Sequence, residues 1–440
     1  MPGGGRGTGR AGRPDPRAMI WADRRPTGAN CSVDIRYPPE AEAFRKRIRS
    51  FLDDHLPEDW RGVGALDPGD AETFTQSWRR VLHENGLLGL SWPREYGGAG
   101  LSKLEQVVLA EEFTRAGVPV YSTSDTFSIK MVGNVLLRLG TEAQRRHFLP
   151  RILSGEDVWC QGYSEPDAGS DLGSLTTRAE RDGDDWVITG QKIWTTRAQF
   201  ANWIFLLART DVDAPKHRGI TFLLCPLDQP GIEIRPIRQM GGDSDFNEVF
   251  FNEARTRSDL AVGQVNGGWP VAMALLGFER GEESATNPIA FRAEYDRLVD
   301  LARERGRTGD PVIRDRLAAQ FARVEIMRFL GYRILTDFLQ DKAPGTDSST
   351  IKLYWSEYHR DTTRLAVEIM GAESLVLSGR PPARSFRADD PGAPNSSASW
   401  VGALFNAVAG TIYAGSSEIQ RNILGEAILG LPKEPGPTAR

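Results

Sequence analysis

What this sequence has little of narrows the field first. Cysteine is scarce: Cys31, Cys160 and Cys225 stand far apart. They supply neither a disulfide framework nor metal-ligand spacing, and they suit a reducing, cytoplasmic setting. Long apolar runs are missing. Val265–Phe278 comes nearest, but Gly and Pro interrupt it and it falls short of the roughly 18 residues a spanning helix needs. Positive charge is not in excess either. A net charge of −5 argues against nucleic acid or an anionic membrane as the main partner, leaving room only for local basic pockets around an anionic ligand. There is no apolar leader core and no internal repeat.

What is there is ordered by a change of periodicity. Residues 1–36, rich in Gly, Arg and Pro without apolar spacing, read as a disordered tail. From 37 to 158 the pattern is helical. Ala41, Phe44, Ile48, Phe51 and Leu52 recur at three-to-four spacing, and further helices are predicted at Thr73–Glu84, Leu101–Arg115, Thr126–Leu139 and Glu142–Leu153, with Thr141 as an N-cap. Across 159–268 the runs are short and β-rich: Trp186–Thr189, Trp203–Arg209, Gly219–Pro226, Ile232–Ile237 and Glu248–Phe251. They predict a small barrel or sandwich. From 269 to 434 long helices return at Val271–Arg305, Pro311–Gln340, Ser349–Met370 and Trp400–Leu429, an antiparallel bundle with an exposed 379–399 loop. The fold class is α+β multidomain: helical, then β, then helical.

The most informative stretch is Gly162–Ala198. Small and acidic residues, Ser164-Glu165-Pro166-Asp167-Ala168-Gly169-Ser170-Asp171, are followed by Trp186–Thr189, a turn at Gly190, and Ile193-Trp194-Thr195-Thr196. Small residues let a backbone approach a bulky ligand and aim N–H donors at its oxygens. Trp194 can wall a planar ring while Thr196 donates to its edge. The same residues read equally well as a turn-rich surface hairpin.

These segments resemble the acyl-CoA dehydrogenase signature, SEPxAGSD followed by KxWxTxA. The helical–β–helical order over residues 38–434 resembles that family as well, as do Trp92-Pro93-Arg94-Glu95-Tyr96-Gly97-Gly98 and Gly140–Glu156. The resemblance implies FAD as cofactor and an acyl-CoA, or acyl carrier protein, thioester as substrate. It also implies an electron-transfer flavoprotein as acceptor, and a homodimer or tetramer with a heteromer as the other assembly. By the same resemblance Ser164, Trp194 and Thr196 contact the isoalloxazine, with Tyr163 and Thr195 beside them. Ser170 lies toward phosphate or pantetheine. Arg305, Gly371, Ser416 and Glu418 belong to the remaining cofactor contacts.

The family's proton acceptor is commonly a Glu near the C-terminus, where this chain reads Ile412-Tyr413-Ala414-Gly415. A methyl group at Ala414 cannot take a proton. Isovaleryl and long-chain members carry the base on the first long C-terminal helix instead, and Phe278-Glu279-Arg280-Gly281 is similar to that segment. The resemblance thus implies Glu279 as catalytic base and Arg280 as a substrate or charge-holding neighbour, with Glu283 the rival. By spacing alone Glu279, Glu282 and Glu283 form a solvated helix face. The family's QxxGG segment appears here as Glu368-Ile369-Met370-Gly371-Ala372, and Arg316 lies where a Gln is usual. The implied activity is FAD-dependent α,β-dehydrogenation of an acyl thioester. Its rivals are a non-catalytic or half-active partner subunit of a heteromeric enzyme, and a flavin oxidase or monooxygenase on the same fold.

Overall fold

The computed structural model describes residues 37–66, 68–278, 283–340, 347–376 and 399–433. The tail 1–36, most of the 379–399 loop, and Glu279 and Arg280 lie outside the described residues.

The first third is helical: α1 (Pro39–His55), α2 (Pro68–Glu84), α3 (Lys103–Ala116), a single turn α4 (Thr123–Asp125), α5 (Asn134–Leu139) and α6 (Glu142–Ser154). Side chains set the helix starts. Ser102, Ser122 and Thr141 each form a capping box with the residue three positions on, satisfying amides that a helix start leaves unpaired. The apolar face of α1 buries Phe44, Ile48 and Leu52. Arg45 on that face reaches Glu111 and Glu112 of α3. Sequence spacing predicts one helix over Thr126–Leu139. The chain instead widens into a π-helical stretch, Thr126–Gly133, before α5. Trp92 packs against its end: an added Cβ at Gly133 would lie 2.1 Å from the indole ring, and Trp92 Nε1 donates to Asn134 Oδ1 at 3.1 Å.

Eight strands then form one sheet, in the order β6-β7-β3-β2-β4-β5-β8 with β1 on β4. They are β1 (Trp159–Gly162), β2 (Arg178–Asp182), β3 (Asp185–Thr196), β4 (Trp203–Arg209), β5 (Ile220–Pro226), β6 (Ile232–Ile237), β7 (Phe246–Arg257) and β8 (Ala261–Val262). Three of these escape the sequence pattern. β2 reads Arg-Ala-Glu-Arg-Asp, with only Ala179 buried, while β1 and β8 are too short for periodicity to register. The sheet curls over its own core: Thr256 of β7 donates to the Leu224 carbonyl of β5 at 2.6 Å. Inside lie Ile188, Ile204, Leu206, Leu223 and Val249.

β4 and β5 are buried almost end to end, as strands covered on both faces must be. On the outer face Phe205 and Phe222 stack at 5.7 Å, and Phe148 of α6 meets Trp159 and Trp203 at 5.3 and 5.1 Å. Ser128 of the π-helical stretch accepts from the Trp159 amide.

The last third comprises α7 (Gly268–Phe278), α8 (Glu283–Glu304), α9 (Pro311–Leu339), α10 (Asp347–Met370), α11 (Trp400–Gly410) and α12 (Ser417–Ile423). Leu298, Ile313, Leu365 and Ile369 join α8, α9 and α10 in one core. The helix expected over Trp400–Leu429 is broken at 411–416. Ala414 and Gly415 are left-handed (φ 51° and 84°), and Ser416 caps α12. Lys352 of α10 donates to the Gly415 carbonyl at 2.6 Å and Gln420 to that of Ala414 at 2.9 Å, so the break is held from both sides.

Gln144 links the first helical layer to the sheet. Its amide donates to the carbonyls of Asp259 (2.7 Å) and Ala261 (2.9 Å). Gln144→Leu keeps the bulk and removes both bonds, together with the capping-box bond that Gln144 accepts from Thr141 N. The expected outcome is a loss of about 1–2 kcal/mol, read as a lower urea midpoint at unchanged m-value.

Candidate active site

The site is built from the loop leaving β1 and from the far end of β3. From Trp186 to Lys192 the face pattern of β3 is regular, with Trp186, Ile188 and Lys192 buried. Simple alternation would turn residue 194 inward too. It does not, because β3 carries one extra residue there. Lys192 faces Val249 and Thr195 faces Asn247, three residues against two. Such a bulge reverses the faces beyond it. Thr195 is therefore buried, and its hydroxyl meets no hydrogen-bond partner among the described residues. Trp194 is expelled: it is 57% exposed and left-handed at φ 60°, a strained conformation for a bulky residue.

The bulge also frees an amide. Ile193 N–H donates to the carbonyl of Ser164 at 2.9 Å, which draws the Ser164 loop alongside Trp194 and Thr196. Ser164 and Thr196 are half-buried. The ring of Tyr163 lies inside, edge-on to Phe205 at 6.0 Å and to Phe222 at 6.5 Å. Ser170 is exposed farther along the loop, where Lys216 ion-pairs with Asp171.

Beneath the loop lies a charged pair that the sequence reading did not single out. Lys192 has no exposed surface, and its Nζ donates to Glu165 Oε1 at 2.8 Å and to the Tyr163 carbonyl at 3.2 Å. Glu165 also accepts from Thr176 N (2.6 Å), Thr176 Oγ1 (2.8 Å) and Thr177 N (3.0 Å). Burial pushes the Glu165 carboxyl up, but the Lys192 ammonium and these donors outweigh it and hold it at about 2. Burial pushes the Lys192 amine down to about 8, partly offset by Glu165. One signal was available: Lys192 falls on the core parity already set by Trp186 and Ile188.

The remaining expected residues sit in the C-terminal helices. Arg305, just beyond α8, is ion-paired with Glu373, and Arg316 of α9 with Glu368 of α10. Gly371 ends α10 at φ 61° with open space where a Cβ would be, so backbone conformation alone calls for glycine. Ser416 caps α12 through Ile419 N. Exposed Glu418 is held below the usual carboxylate range by its own backbone amide and Ser416. A cavity of about 490 Å³ between α8 and α9, with Tyr295, Arg314 and Phe321 in its wall, includes none of these residues.

Family comparisons agree along the chain. The acyl-CoA dehydrogenase N-terminal, middle and C-terminal domains match residues 38–156, 160–254 and 266–429. The chain belongs to the acyl-CoA dehydrogenase family. It is 42% identical over 400 residues to the acyl-CoA dehydrogenase IpdE1 of Mycobacterium tuberculosis, covering 90% of this chain and 99% of that one. A solved structure described as the Tcur3481-Tcur3483 steroid ACAD aligns with a TM-score of 0.74 at 34% identity, over 91% of this chain and all of that one. The ChsE4-ChsE5 complex of M. tuberculosis aligns with a TM-score of 0.71 at 28% identity, over 91% and 100%.

As a member, this chain is an FAD-dependent acyl-CoA dehydrogenase. The site residues fit that cofactor. Neither the Ser164 nor the Thr196 hydroxyl is tied to another described side chain, and the Trp194 ring stands exposed between them in sequence. Among the described residues no three His, Cys, Asp or Glu side chains gather as a metal site, and no helix is long and apolar enough to cross a membrane.

Two measurements probe this geometry. Trp194→Gly exchanges a strained exposed aromatic for a residue at ease at φ 60°. Relief of left-handed strain and the added chain entropy of glycine roughly cancel, so the cofactor-free protein should unfold within about 1 kcal/mol of wild type in a thermal melt. The second concerns acid. The ordinary value for Glu165 is 4.5 and its folded value about 2, so its stabilisation is complete above pH 4.5 and disappears as pH falls toward 2. Glu165→Gln should show a shallower decline of stability with pH in that window.

Proposed function

We propose that this chain dehydrogenates a bulky, ring-bearing acyl-CoA between its α and β carbons, with Glu279 as the base. The observation that carries the reading is the 2.9 Å bond from Ile193 N to the Ser164 carbonyl. It sets a half-buried hydroxyl-bearing loop against an expelled indole and a second hydroxyl, the geometry a planar ring with polar edges requires. The likeness to a steroid ACAD at 34% identity supports the bulky acyl group.

In this reading Ser164 and Thr196 donate to the edge of the ring system, Trp194 walls it, and Tyr163 and Thr195 support the strand ends behind. FAD, when bound, supplies the hydride acceptor for the β-hydrogen. Glu279 takes the α-proton, which becomes acidic enough only when the thioester oxygen is hydrogen-bonded and water is excluded. Ala414, exposed and left-handed in the break before α12, has no group to take that proton. Arg280 holds nearby charge, Ser170 faces the carrier side, and Arg305, Gly371, Ser416 and Glu418 complete the outer cofactor contacts. An electron-transfer flavoprotein takes the electrons onward, in the cytoplasm.

A second reading concerns assembly. The Arg316–Glu368 and Arg305–Glu373 pairs satisfy within one chain groups that family analogy directs to a neighbour's cofactor. The comparison structures described as Tcur3481-Tcur3483 and ChsE4-ChsE5 name two chains each. We therefore favour a heteromer over a homodimer or tetramer. Mass and flavin content of the purified protein, alone and with a companion chain, separate the two.

Glu279→Gln should retain FAD while turnover falls by roughly 10²–10⁴-fold. The visible flavin band should no longer bleach when acyl-CoA is added anaerobically. Undiminished bleaching would transfer the role to Glu283 or another group.

A further inference from the structure

The Lys192–Glu165 pair is more costly than the sheet's stability requires. Both side chains are buried, and apolar residues of similar size commonly serve a core as well as or better than such a pair. What it does that apolar residues cannot is fix three backbone segments at a point. Lys192 belongs to β3, two residues before Trp194 and four before Thr196. Glu165 directly follows Ser164. Thr176 and Thr177, which donate to Glu165, lead into β2.

The segments are also held in close contact. Thr177 Oγ1 donates to the Gln191 carbonyl at 3.3 Å, and an added Cβ at Gly190 would lie 2.6 Å from Thr177 Oγ1. Lys192 Nζ reaches the Tyr163 carbonyl as well, so one ammonium holds residues 163 and 165 on either side of Ser164.

We infer that Lys192 and Glu165 are positioning residues for the flavin: they set the Ser164 hydroxyl at a fixed place relative to Trp194 and Thr196 before the cofactor arrives. The inference rests on the reading of Ser164, Trp194 and Thr196 as flavin contacts. Neither member of the pair need touch the flavin. They act by sparing the loop an ordering cost on binding and by holding the Ile193–Ser164 bond that the bulge makes available.

The test uses the full-length double variant Glu165→Gln/Lys192→Met, which removes both charges together and strands neither. Three quantities are measured: the melting temperature of the cofactor-free protein, the Kd for FAD by flavin fluorescence, and hydrogen exchange at the Ile193 amide. The expected result is a fold as stable as wild type, a Kd raised roughly tenfold or more, and faster exchange at Ile193. A double variant with the wild-type Kd and wild-type Ile193 exchange overturns the inference while leaving the flavin site intact. Loss of the folded protein also overturns it, because the pair would then be holding the sheet and not the loop. A wild-type protein that binds FAD normally but is indifferent to Trp194→Gly and Ser164→Ala refutes the site assignment on which the inference stands.

Discussion

A lysine amine with no exposed surface stays charged only if a partner replaces its water. Lys192 has Glu165 for that purpose, and Glu165 in turn draws on Thr176 and Thr177. Removing one member of such a pair typically costs about 3–5 kcal/mol because it leaves an uncompensated buried charge. The geometry around it is accordingly stiff. One charged contact couples the loop after β1, the approach to β2 and the outer half of β3.

The one-residue bulge is the other half of this device. Without it, the parity that buries Trp186, Ile188 and Lys192 would bury Trp194 also. With it, Thr195 turns inward and the indole turns out, at the expense of a left-handed backbone. Strain of this kind persists only where surrounding structure over-determines it. Here β7 supplies that structure through Asn247, which donates to the Thr195 carbonyl at 3.0 Å.

The C-terminal helices show how far a residue's role depends on its neighbours. Arg305 and Arg316 could each serve an anionic ligand. In this chain each faces a carboxylate, Glu373 or Glu368, both within or just after the last turn of α10. These pairs are half-exposed and contribute little to stability, so a competing phosphate could displace the carboxylates. Arg316 and Glu368, which stand where the resemblance implies Gln, pair with each other between α9 and α10.

Periodicity and punctuation in the sequence determined the order of layers, most helices, and the strands with clear apolar character. Trp203–Arg209 appears at its expected limits because burial writes itself into residue choice, and Ile232–Ile237 because half-buried Ile232 and Ile234 alternate with exposed Glu233 and Arg235. Ser164, Trp194 and Thr196 stood out through their resemblance to a family signature; by residue type and spacing alone they read equally well as a surface hairpin. Tertiary structure alone decided the rest. β2 is polar and pairs only because β3 and β4 lie beside it. Gly133, at the end of the π-helical stretch, has no room for a side chain because Trp92, forty-one positions away in the chain, packs against it. The face Trp194 presents depends on a register shift against β7, and a register is a relation between two strands that neither one encodes by itself.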